Sequence, residues 1–146
     1  AIGSIFGGWL PTPFQRFGVS ETYARLGSML ICALLVVPIF AATRVGSVWL
    51  AIGLISMAAG AHQGWSANLY TTASDMFPKS AVASVVGIGS MAGSIGGILF
   101  AYFAGHSLQL THSYAILFAI ASSAYLVALF ALVLLAPKLK RVEFIA

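Results

Sequence analysis

The sequence has very few charged residues. Asp, Glu, Lys and Arg make up 7% of its 146 residues, whereas hydrophobic residues make up 60% and the mean hydropathy is +1.00. Soluble domains carry about 25% charged residues. This shortage excludes a soluble globular domain. The net charge of +4 is distributed as expected for membrane orientation rather than for a nucleic-acid-binding surface, so no nucleic-acid partner is expected.

Cysteine is almost absent as well. Cys32 is the single cysteine and lies in an apolar run, so the chain has no disulfide framework. We interpret it as a small buried or lipid-facing residue. The sequence predicts no metal site, no cofactor and no catalytic residue.

Long runs without charge occupy most of the chain. From Val45 to Ser74 there is no Asp, Glu, Lys or Arg, which is long enough to cross a bilayer. The pattern predicts an all-α, multi-pass membrane protein with Pro38 as a kink in its first complete span. The predicted transmembrane helices are 26–43, 47–72, 81–104 and 113–135, separated by segments 11–25, 73–80 and 105–112 and followed by a tail, 136–146.

The first ten residues are apolar and precede Pro11 and Pro13. Because proline interrupts a helix, we interpret 1–10 as the end of a transmembrane helix that these prolines terminate. The chain begins in the middle of a pattern, with Ala1, and we expect it to lack earlier helices of a longer protein.

The basic residues indicate the orientation. Only Arg44 falls on one side of the predicted path. The positive-inside rule then places 11–25, 73–80 and the tail in the cytoplasm and 105–112 in the periplasm. The basic residues on the cytoplasmic side are Arg16, Arg25, Lys79, Lys138, Lys140 and Arg141.

A polar and aromatic cluster, His62-Gln63-Gly64-Trp65-Ser66-Ala67-Asn68, interrupts the second complete span. Polar groups in a membrane segment are costly to expose to lipid and usually face a bundle interior or a wet cavity. The cluster therefore indicates a protein that moves or holds a polar solute within the membrane.

Several motifs resemble the major facilitator superfamily. Gly7-Gly8-Trp9-Leu10, with Arg16-Phe17-Gly18 and Ala24-Arg25, resembles the loop between helices 8 and 9 of these transporters. Ser74-Asp75-Met76-Phe77-Pro78-Lys79 resembles the turn between helices 10 and 11. The stretch from His62-Gln63-Gly64-Trp65 to Gly87-Ile88-Gly89 is most similar to the hexuronate and sugar-acid transporters of the anion:cation symporter branch.

The resemblance implies a fold and a function. It implies that the chain is part of the C-terminal six-helix bundle of a twelve-helix carrier, from the end of helix 8 to helix 12. It also implies proton-coupled symport of a sugar acid or related organic anion by alternating access, in the bacterial inner membrane. Thr12 stands where the family's loop motif carries an aspartate, so one latch of the cytoplasmic gate is missing.

Five residues are candidates for binding the substrate: His62, Gln63, Trp65, Ser66 and Ser90. Helical spacing places His62, Trp65 and Ser66 on one stripe, with Gln63 at its border. The Trp65 indole suits stacking on a sugar ring, and the amide and hydroxyl groups can hydrogen-bond to oxygens. The alternative is that these residues pack or bond between helices. His62 is also a candidate for proton coupling.

Asp75 lies where superfamily members carry an acid before Phe-Pro, and Arg16, Arg25 or Lys79 is its expected partner. Such a pair would close the cytoplasmic gate; the alternative is a solvated loop acid. The glycines Gly89, Gly93 and Gly97 are spaced four residues apart and form one smooth helix face. This face predicts close packing against a neighbouring helix.

Other functions remain open. The chain could belong to a carrier of a different solute. An intramembrane hydrolase would need Ser90 as nucleophile with His62 or His106 as base. A channel would need rings of carbonyls or charges, which these spans do not offer.

Overall fold

A computed structural model describes residues 2–136 and 139, and the described chain is helical without any strand. This confirms the predicted all-α architecture. Lys138, Lys140 and Arg141 of the predicted tail lie outside the described residues. The helices are α1 (Ile2–Trp9), α2 (Pro11–Arg16), α3 (Glu21–Val36), a 3₁₀ helix (Val37–Thr43), α4 (Val48–Met76), α5 (Lys79–Thr111) and α6 (Ala115–Leu135).

Three described stretches are long and apolar enough to cross a membrane by length and composition: Glu21–Thr43, Lys79–Thr111 and Ala115–Leu135. They correspond to three of the four predicted spans, with 113–135 beginning two residues earlier than Ala115. Helix α4 is not among them, because the polar residues between His62 and Asn68 lower its hydropathy. The span 47–72 therefore stays a prediction.

The segment 105–112 was predicted as a loop, and this is wrong in extent. Helix α5 continues to Thr111, and only His112 to Tyr114 separate it from α6. With 33 residues at 1.5 Å each, α5 is about 50 Å long. It is therefore longer than the thickness of a hydrocarbon core, roughly 30 Å. His112 ends the helix with a left-handed backbone, φ 50°.

The prolines near the beginning also act differently from the prediction. Leu10 keeps helical dihedral angles, φ −50° and ψ −39°, so Pro11 interrupts the hydrogen bonding without ending the helical path. Within the predicted loop 11–25, residues 11–16 form α2 and α3 begins at Glu21. At Pro38 the α-helical hydrogen bonding of α3 has changed to that of the 3₁₀ helix, and the kink predicted there stays a prediction.

Helix α4 lies at the centre of the packing. Helices α1, α3 and the 3₁₀ helix pack against it, and α6 packs against α3 and the 3₁₀ helix. Helix α5 contacts α4 near the Phe77-Pro78 turn, and residues 87–103 are all exposed.

Glycines bring α1 and α4 into backbone contact. A Cβ on Gly3 or Gly7 would overlap the backbone of Gly60 or Gly64, respectively. Small residues four apart allow such an approach, and membrane helices associate largely through close packing. Around Gly89, Gly93 and Gly97 no other described atom lies within 4 Å of an added Cβ, so the packing predicted there stays a prediction.

Candidate functional site

Trp65 lies inside the helical packing. It is buried in a cluster with Met29, Cys32 and Leu129, which belong to α3 and α6. The edge of its ring meets Tyr125 at a centroid distance of 5.4 Å and an interplanar angle of 75°. This T-shaped geometry is one that aromatic pairs prefer. The indole is thus part of the contact between α4, α3 and α6.

His62 is joined to the same tyrosine. Its Nδ1 lies 2.7 Å from Oη of Tyr125, and the two rings meet edge to face at 6.0 Å. The Tyr125 ring therefore contacts Trp65 while its hydroxyl bonds to His62. Of the five predicted binding residues, these two are brought together, and α6 supplies the residue that connects them.

Gln63 and Ser66 lie on another face of α4. Gln63 is exposed and accepts a hydrogen bond from Ser4 Oγ at 3.3 Å, and Ser66 is half-buried. Tyr70, one turn beyond Ser66, is 49% exposed. Because residues three and four apart share a helix face, Gln63, Ser66 and Tyr70 form a continuous polar face, called here the α4 polar face.

Tyr70, at one end of the α4 polar face, lines a cleft of about 700 Å³ between α4, α5 and the end of α6, whereas Gln63 and Ser66 lie outside that lining. The cleft is mainly apolar, with hydroxyl groups from Tyr70, Ser90 and Ser94 on its walls. Ser94 donates to the Ser90 carbonyl oxygen at 2.9 Å, so its hydroxyl is used within α5. Ser90 lies apart from His62 and Trp65, and no hydrogen bond joins it to them in the described chain.

Asp75 is paired with Arg25. Nη2 of Arg25 is in direct contact with Oδ2 of Asp75, and Glu21 lies 3.8 Å from the same nitrogen. The Arg25 side chain is 13% exposed and the Asp75 side chain 39%, so water screens the pair only partly. Together with Thr22 and Thr72, they line a polar cavity of about 300 Å³.

Arg16 lies elsewhere. It is exposed and borders a separate shallow pocket with Trp9 and Phe17. Of the partners expected for Asp75, the structure selects Arg25, which begins the second turn of α3.

Sequence reasoning missed three features of the site. It assigned no role to Tyr125, and no local pattern distinguishes this tyrosine from other aromatic residues of the span. It also did not include Asn68 among the candidate residues, although Asn68 is 1% exposed and bonds across to α1. The third missed feature is the close contact of α1 and α4, which the four-residue spacings of Gly3 and Gly7 and of Gly60 and Gly64 could have indicated as small-residue motifs.

Comparison with known proteins identifies two relatives. The chain is 34% identical over 125 residues to the hexuronate transporter of Escherichia coli (strain K12) and equally similar to that of Escherichia coli O157:H7. The match covers 82% of this chain and 28% of each relative, so the chain spans little more than a quarter of their length. No family model and no solved structure matches. The predicted resemblance is confirmed: the chain is similar, over most of its length, to part of a hexuronate transporter.

Proposed function

We propose that the chain is part of a major facilitator superfamily carrier that transports a hexuronate or a related sugar acid. The observation that carries the proposal is the α4 polar face, which lies in an apolar chain and whose Tyr70 lines the same cleft as Ser90. Polar groups exposed on a membrane helix require a polar environment, and a sugar acid bound in an aqueous cavity provides it. The similarity to two hexuronate transporters supports the substrate class.

The binding residues divide into two groups. Gln63, Ser66, Tyr70 and Ser90 offer amide and hydroxyl groups to the hydroxyl oxygens of a sugar. Trp65 does not stack on the sugar in this proposal, because its ring is covered by α3 and α6. It supports the position of α4 instead. Among the residues that the structure describes, no lysine or arginine lies on the α4 polar face or lines the cleft, and in this proposal the cation for the carboxylate lies in the N-terminal half of the carrier.

Arg25 and Asp75 act as a gate pair in this proposal. They join the beginning of α3 to the end of α4, on the side predicted to be cytoplasmic. Breaking a partly desolvated pair costs more than breaking an exposed one. A pair that forms in one access state therefore favours that state.

The coupling of transport to protons and the location of the carrier follow from the proposed family. Transport is by alternating access with proton symport, in the bacterial inner membrane, with a cytoplasmic C-terminus. The partners are an anionic sugar acid, a proton, the lipid bilayer and an N-terminal half of the same carrier. His62 is bonded to Tyr125 rather than to Ser90, so the hydrolase alternative gains no geometric support.

Uptake by the full-length protein in proteoliposomes tests the function. Glucuronate, galacturonate, galactonate and a non-sugar organic anion are compared with and without a proton gradient. We expect saturable, gradient-dependent uptake of a sugar acid that excess unlabelled hexuronate suppresses. Uptake of only the non-sugar anion would transfer the proposal to another solute, and an ohmic current would indicate a channel.

A further inference from the structure

Pro11 leaves a backbone acceptor of α1 without its usual donor. In an α-helix each carbonyl oxygen accepts from the N–H four residues later, as Phe6 does from Leu10 at 3.0 Å. The donor for Gly7 would be residue 11, but proline has no N–H. Leu10 keeps helical dihedral angles, so the Gly7 carbonyl still points along the helix. An unbonded carbonyl at membrane depth is costly.

Asn68 of α4 supplies the missing donor. Its Nδ2 lies 2.7 Å from the Gly7 carbonyl oxygen and 3.0 Å from that of Gly64. Both partners are acceptors, so the amide nitrogen must face them and the orientation of the side chain is fixed. The side chain is 1% exposed, so water cannot easily replace this bond.

The glycine contact makes the bond possible. An added Cβ on Gly64 would lie 3.2 Å from Gly7 Cα and 3.1 Å from Cys32 Sγ. Only with glycine at both positions do the two backbones approach closely enough for the short Asn68 side chain to bridge them. The close contact and the bridging bond thus occur at the same level of the two helices.

We propose that Asn68 is a positioning residue that replaces the N–H missing at Pro11 and makes α1 and α4 move as one rigid body. The link extends further along α4, because Thr72 Oγ1 donates to the Asn68 carbonyl oxygen at 2.8 Å and Thr72 lines the cavity of the Arg25–Asp75 pair. The movement concerned is that of the proposed access cycle, so this inference rests on the proposed function. The bond itself does not depend on the solute.

A double-mutant cycle on the full-length protein in detergent tests the replacement. Asn68→Ala should lower the Tm by about 2–4 °C. In the Pro11→Ala background residue 11 regains its N–H. The decrease in Tm caused by Asn68→Ala should then be less than half of the decrease measured with Pro11 present. An equal loss in both backgrounds, or no loss from Asn68→Ala, would overturn the proposal. Asn68→Leu, which fills the space without a donor, should behave as Asn68→Ala does.

Gln63→Ala is the matched control, because Gln63 also bonds across α1 and α4, to Ser4, but at an exposed position. Its effect on the Tm should be the same whether residue 11 is proline or alanine. If Pro11→Ala does not fold, Asn68→Asp provides the test. An aspartate carboxylate keeps the shape of the side chain but donates neither hydrogen bond. A Tm equal to that of the unaltered protein would overturn the proposal.

Cross-linking tests the rigid body. Phe6→Cys on α1 and Met57→Cys on α4, which line one cleft and lie off the α4 polar face, should be bridged by a bifunctional thiol reagent in a background without other reactive thiols. The yield should be equal with and without a solute that shifts the protein between its access states, and a state-dependent yield would overturn the rigid pairing. If the Tm cycle behaves as expected while no sugar acid is taken up, the transport proposal fails and the Asn68 replacement stands.

Discussion

Tyr125 of α6 contacts two residues of α4 with different parts of its side chain. Its hydroxyl lies 2.7 Å from Nδ1 of His62, and its ring meets the ring of Trp65 at a centroid distance of 5.4 Å. Within a membrane, helices associate through such packing and hydrogen bonds rather than through the hydrophobic effect. Tyr125 is therefore a specific connection between the last helix and the polar segment of α4.

Removal of the Tyr125 hydroxyl should weaken this connection without removing it. Tyr125→Phe keeps the ring contact with Trp65 and should lower the free energy of unfolding by about 0.6–2 kcal/mol, the range for hydrogen bonds between membrane helices. Tyr125→Leu, which also loses the aromatic contact, should cost more. Thermal unfolding in detergent measures both effects.

His62→Gln provides the control for the hydrogen bond. If the Tyr125 hydroxyl acts through His62, His62→Gln should cost little more once Tyr125 is phenylalanine, because the two substitutions remove the same interaction. Fully additive losses would mean that the two groups stabilise the fold independently.

Unchanged pH dependence of uptake in His62→Gln would remove this histidine from proton coupling.

Breaking the Arg25–Asp75 pair should affect both stability and transport. Asp75→Asn leaves the largely buried Arg25 with only the exposed and more distant Glu21 as an acid, and we expect a loss of about 1–3 kcal/mol, between the values for exposed and buried pairs. Arg16→Gln is the matched control, because Arg16 is exposed and lies in a different pocket. The exchange Arg25→Asp with Asp75→Arg should restore part of the loss, and uptake rates and thermal unfolding measure the result. Equal effects of Asp75→Asn and Arg16→Gln would refute the gate pair.

Two adjacent glycines should respond differently to alanine. A Cβ at position 7 would overlap the Gly64 backbone, whereas nothing lies within 4 Å of a Cβ at Gly8. Gly7→Ala should therefore destabilise the protein by about 1–3 kcal/mol, as overpacking does, and Gly8→Ala should have almost no effect. Comparable Tm values for the two variants would contradict the close contact between α1 and α4.

Ser90 and Ser94 line the same cleft, but the Ser94 hydroxyl is already bonded to the backbone of α5. If Ser90 binds the sugar acid, Ser90→Ala should raise the KM for uptake by about 3- to 10-fold, as expected for one hydrogen bond. Ser94→Ala should change it by less than about 2-fold. Equal KM values for the two variants would exclude Ser90 from the binding site.

The sequence predicted the helical class from its uncharged runs, and the family resemblance gave Asp75 three possible basic partners, of which Arg25 is paired with it. The sequence-based prediction misjudged 105–112 because apolar periodicity does not reveal where a long helix ends. The inward orientation of Trp65 depends on Tyr125, 60 positions further along the chain. Such long-range contacts leave no signal in the spacing of neighbouring residues.

The role of Asn68 also could not be predicted from the sequence. Its role follows from the proline at position 11 and the glycines at positions 7 and 64, each of which the sequence displays. Their relationship becomes visible only when α1 and α4 lie side by side. Gly89, Gly93 and Gly97 remain a predicted packing face, to be tested in the full-length protein.

Thiol labelling at Ser66 tests the central claim that the α4 polar face lines a sugar-acid cavity. In the full-length protein with its other reactive cysteines replaced, Ser66→Cys should react with a water-soluble thiol reagent and be protected by glucuronate or galacturonate. Val127→Cys, at an exposed apolar position of α6, should react poorly and gain no protection. A Ser66→Cys thiol that is as unreactive as the one at Val127, or that no sugar acid protects, would contradict the account.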